Sequence, residues 1–107
     1  MVHNETCSLV TLTAEGSQVT RHETEVFCGK KSVAFKEFYA ATQVGINPSY
    51  IFEMDIREYE AAIIRTTNAD ETVTVTRPTE LIYEGEKFNI IRTYETNSQL
   101  IEVTVGL

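Results

Sequence analysis

Four acids, Glu53, Asp55, Glu58 and Glu60, crowd the middle of the chain, while His3, Cys7, His22 and Cys28 lie towards its start. Paired carboxylates could support acid–base or glycosidic chemistry, which needs two of them converging across a cleft with one proton held unusually tightly. Alternating acids on a strand more often make a solvated face. The same acids could recruit a hard cation, but the glycine-containing calcium loop is missing. Cys and His together are zinc-ligand types, yet their spacing matches none of the tight pairs that build fingers or ribbons. There is no phosphate-cradling glycine loop, H-E-x-x-H, G-x-S-x-G or C-x-x-C. The expectation is a protein that is not an enzyme, with no catalytic, cofactor-binding or metal residues.

Binding chemistry is limited by charge. The chain has 16 acids against 9 bases, a formal charge of -7. Phosphate-backbone binding gains affinity by releasing counterions with clustered Lys and Arg. Lys30, Lys31 and Lys36 form the one basic cluster, too small to supply that. Aromatics such as Tyr50, Phe52, Tyr83, Phe88 and Tyr94 could stack bases, but interleaved cations are lacking. Core packing accounts for most of them, and a tyrosine at a strand end suits a subunit contact.

The elements that must position these residues fit a single domain, 1–107, with 42% hydrophobic and 23% charged residues. No apolar run reaches a membrane span and the start lacks a signal-peptide pattern, so a reducing cytoplasm and free Cys7 and Cys28 are expected. Leu9–Thr13 and Val19–Cys28 read as a hairpin turning at Ala14–Ser17. Within 32–43, Phe35, Phe38 and Tyr39 recur at helical spacing behind Ser32, and Gly45 and Pro48 stop what reads as the one helix. Tyr50–Tyr59 alternates as a strand, 66–71 reads as a loop, and Thr72–Thr76 as a half-buried strand. Leu81–Tyr83 and Glu86–Tyr94 flank a Glu84-Gly85 turn, Thr96–Ser98 turns again, and Leu100–Val105 is the last strand. The fold class expected is mainly β, a small barrel or rolled antiparallel sheet of about six or seven strands with one inserted helix. Phe35, Phe38, Phe52, Met54, Ile56, Phe88, Ile90 and Leu100 should form its core.

Several motifs recur in a telling order: Val26-Phe27-Cys28, Ser32-Val33, Glu37-Phe38-Tyr39, Gly45 with Pro48, Phe52, and Glu58-Tyr59. Tyr83-x-Gly85-x-x-Phe88-x-Ile90, Arg92-Thr93-Tyr94 and Ile101-Glu102 follow. In this order the chain, from about Val10 to Val105, resembles the head-closure (head–tail connector, or stopper) proteins of tailed bacteriophages. The resemblance departs at 61–70, which is longer and more polar than usual, and at the Val-Thr-Val ending. It implies a structural virion protein at the head–tail interface, present in the host cytoplasm during assembly. It implies a ring, a dodecamer, on a portal-adaptor template, with a tail-completion protein as the other partner and packaged DNA met only sterically. It also implies that Gln43, Val44, Gly45, Ile46, Asn47, Pro48 and Ser49 close the channel; an ordinary helix-to-strand connection is the competing reading. The acidic balance agrees, since an acidic lumen lets DNA slide.

The alternative function is an oligonucleotide-binding-type barrel acting as a nucleic-acid or peptide module, an acidic DNA mimic being one form of it. An unrecognised enzyme is a third. With no long apolar stripe, the isolated protein is expected to be monomeric or weakly associated and to form rings only on its template.

Overall fold

The computed structural model describes residues 3–32 and 48–106. Their strands are β1 (Glu5–Glu15), β2 (Gln18–Ser32) and β3 (Pro48–Asp55), then a short helix α1 (Ile56–Glu60). After it come β4 (Ile64–Thr67), β5 (Val73–Thr76), β6 (Glu80–Tyr83), β7 (Glu86–Glu95) and β8 (Leu100–Gly106). The protein is mainly β, as expected. Six strands close a barrel in the order β1-β2-β3-β8-β7-β6, and β4 and β5 form a separate two-stranded ribbon. Every strand pairing in the barrel is antiparallel.

Alternation explains which side chains fill the barrel, because successive strand residues face opposite sides. Cys7 and Leu9 from β1, Val26 and Cys28 from β2, and Phe52 and Met54 from β3 are buried together. Leu81 and Tyr83, Phe88, and Ile101, Val103 and Val105 join them from β6, β7 and β8. Of the expected core, Phe52, Met54 and Phe88 are buried, whereas Ile56 and Ile90 pack against the core only partly buried and Leu100 is half-buried. Ser32, the expected N-cap of the 32–43 helix, is the last residue of β2, and the rest of that range, with Phe35 and Phe38, lies outside the described residues.

Three readings need correction. Tyr50–Tyr59 is not one strand, because β3 ends at Asp55 and Ile56–Glu60 is helical, a helix the alternation does not predict. The Asp55 carboxylate accepts the Arg57 N–H at 2.8 Å, a helix N-cap that overrides the alternating pattern. Tyr59 and Ala62 then enter the core, and the Thr11 hydroxyl donates to the Ala62 carbonyl at 2.6 Å, tying this segment to β1. Second, 66–71 is not wholly loop: Thr66 and Thr67 belong to β4, which pairs with β5. Third, the Thr/Val strand is exposed, with Val73 at 55% and Val75 at 39% accessibility, because its ribbon stands outside the barrel. The barrel of six strands matches the expected six or seven, and the β4–β5 ribbon adds two more among the described residues.

The hairpins follow from local chemistry. Tyr83 pairs with Glu86 across the two-residue turn Glu84-Gly85, whose φ values of 51° and 78° give the mirror-image turn that matches strand twist. Asn97 closes the β7–β8 turn by accepting the Gln99 and Leu100 N–H groups at 2.7 and 3.0 Å. A Cβ at Gly85 meets nothing within 4 Å, so Gly85→Ala tests backbone strain alone. It should cost about 1 kcal/mol and lower the melting temperature by roughly 5 °C, checked by calorimetry.

Candidate functional site

The strand ladder separates the residues that could have converged for chemistry. His3 contacts Glu53 at 3.0 Å, and His22 contacts the Thr13 hydroxyl at 2.9 Å. Cys7 and Cys28 instead face the core as free thiols. The zinc-type set is thus split between surface and interior, and no group of three or more metal-ligating side chains assembles among the described residues. Of the acids, Asp55 and Glu58 line one depression with Arg57 and Ala61. Asp55 caps α1 and forms an ion pair with Arg57 at 3.0 Å, while Glu53 lies on β3 beside His3.

The Arg57 side chain, aided by the Arg57 backbone N–H, holds the Asp55 carboxyl down at about 2, against an ordinary 3.8. A depressed carboxylate stabilises the fold fully above its ordinary range, and that contribution is lost as pH falls from 3.8 towards 2. Carbon-detected NMR should show Asp55 titrating near 2, and Asp55→Asn should flatten that part of the acid-unfolding curve. A midpoint near the ordinary value would refute the pairing.

One end of the barrel carries a polar and aromatic cluster. β2 ends at Ser32, β3 begins at Pro48, and Ser32 pairs with Tyr50. Here the Lys30 ammonium lies 4.6 Å from the Tyr50 ring centroid and 5.0 Å from that of Tyr83, within cation–π range. The Tyr83 hydroxyl donates to Glu5, which raises the phenol above its ordinary range, and Lys31 bridges to Glu102 on β8. The small basic cluster read from the sequence is thus partly engaged: Lys30 by aromatic rings and Lys31 by a carboxylate. Of the expected channel-closing segment, Pro48 and Ser49 are the first residues of β3, with Pro48 paired to Gly106. Gln43, Val44, Gly45, Ile46 and Asn47 lie outside the described residues.

The outer wall carries features of a different kind. Phe27 on β2 is 58% accessible and Tyr94 on β7 is 66% accessible. Tyr94 borders a shallow depression with Arg92, Thr93, Glu102 and Thr104. β2 and β7 stand three strands apart in either direction round the six-strand ring, so the two aromatics project from opposite walls. Sequence reading treated Phe27 only as part of a motif. Its exposure follows from alternation, since buried Val26 and Cys28 flank it and force it outward. Among the described residues no group of three or more metal-ligating side chains forms, and the outer wall carries two separate exposed aromatics.

No family model matches the chain, and no curated protein matches it.

Proposed function

We propose that this chain is a structural subunit of a tailed-phage head–tail connector, forming a ring below the portal and adaptor that closes the DNA channel and receives the tail. The observation that carries the reading is the placement of Phe27 and Tyr94 on opposite walls of a closed barrel. Closed rings of identical subunits need two different, complementary surfaces on each copy, and exposed aromatics are favoured anchors for such contacts. The mainly β barrel is the architecture the motif resemblance implies. The acidic balance suits a channel through which DNA slides. In this role the protein does no catalysis, holds no cofactor or metal, and meets DNA only sterically. Its site is the virion's head–tail interface, reached from the host cytoplasm during assembly.

Light scattering on the purified protein should show a monomer, because the exposed aromatics are isolated and the surface is acidic. Adding purified portal–adaptor complexes should produce a ring of the protein below the adaptor in electron micrographs. A tight oligomer of the protein alone, or no density on the complexes, would overturn the proposal.

A further inference from the structure

We infer that Cys7 and Cys28 form an oxidisable dithiol inside the barrel wall, converted by a small peroxide into a bond between adjacent strands. The placement comes from strand register. Cys7 on β1 pairs with Val26 on β2, and Cys28 on β2 pairs with Glu5 on β1, so the two cysteines are diagonal neighbours. Both face the interior, at 3% and 0% accessibility, and both are free. Same-face diagonal residues on an antiparallel pair lie within side-chain reach. Each thiol perturbs the other: Cys28 raises the pKa of Cys7, and Cys7 lowers that of Cys28.

The Cys7 thiol is held well above the ordinary range by the neighbouring Cys28 and by burial. The same contact lowers the Cys28 thiol, which favours Cys28 as the attacking sulfur. Its sulfur attacks one oxygen of hydrogen peroxide and hydroxide leaves, giving the sulfenic acid; the proton lost by Cys28 converts that hydroxide to water. The Cys7 sulfur then attacks the Cys28 sulfur. The S–O bond breaks, and the departing hydroxide takes the Cys7 proton to leave as a second water. Two thiols and one peroxide thus become one disulfide and two waters. Diagonal neighbours lie about 7–8 Å apart, beyond the roughly 4.4–6.8 Å of most disulfides, so the bond must draw β1 and β2 together locally. Such a bond is more easily reduced than a relaxed structural one. The adjacent burial of both sulfurs restricts the reaction to small oxidants.

The test treats the purified full chain with hydrogen peroxide, then alkylates it in denaturant and measures intact and peptide masses. The expected product is lighter by two hydrogens, takes up no alkylating reagent, and yields one peptide linking residues 7 and 28. A dithiol reductant should restore both alkylation sites. In Cys7→Ala the oxidation should stop at a sulfenic acid on Cys28 that a dimedone probe captures. Persistent alkylation of both cysteines in the wild-type chain, or added oxygen without a link, would overturn the inference whether or not the variant folds.

Discussion

Phe52→Ala should remove about 3–5 kcal/mol from the stability of the barrel, the typical loss when a fully buried phenylalanine is truncated. Phe52 has no solvent exposure and belongs to the central core cluster. Its ring lies 5.1 Å from that of Tyr83 and meets Tyr50 edge-on at 6.3 Å. The truncation therefore leaves a cavity and strips two aromatic contacts. A domain of this size holds only about 5–15 kcal/mol in total, so the variant should be partly unfolded at physiological temperature. Urea denaturation followed by circular dichroism measures the loss. A loss below about 1 kcal/mol would mean that the barrel interior repacks freely, against the close packing described above.

The second large effect falls on assembly and spares the fold. Phe27→Asp and Tyr94→Asp change side chains that are 58% and 66% accessible, so each purified variant should melt within a few degrees of the unmodified protein. On the proposed reading each occupies a repeated subunit contact. Central aromatic anchors cost at least about 2 kcal/mol when lost, so each variant should bind portal–adaptor complexes at least roughly 30-fold more weakly. Binding is read by co-sedimentation with the complexes. Unchanged binding by both variants would remove these walls from the ring interface.

Much of the fold is legible in residue patterns, and the failures have physical reasons. The Glu84-Gly85 turn and the Leu100–Val105 alternation are local signals, and β6, β7 and β8 follow them closely. Ile56 and Tyr59 also stand at helical spacing behind a capping Asp55. That signal was available, but the longer alternation through Met54 masked it. Thr66 and Thr67 of β4 read as loop because they bury nothing. Their strand conformation comes from pairing with β5, a partner that periodicity does not reveal. Closure of β1 onto β6 is likewise non-local, joining Leu9 to Leu81 across most of the chain.

The candidate site was less legible than the fold. Surface placement at Phe27 depends on the orientation of its whole strand, because a slip of one residue would exchange Phe27 with the buried faces of Val26 and Cys28. A motif containing all three cannot say which is outside. Tyr94 was easier, since a tyrosine near the end of a strand suits a subunit contact. Of the segment Gln43–Ser49, only Pro48 and Ser49 fall among the described residues, where they open β3.

DNA retention by filled heads tests the central proposal most directly. Heads carrying portal and adaptor would be assembled without this protein, then given the purified chain, and DNA release followed by nuclease sensitivity. The proposal predicts that heads lacking it release their DNA, and that adding it restores retention and tail attachment. Equal retention with and without the protein would contradict a role in closing the channel.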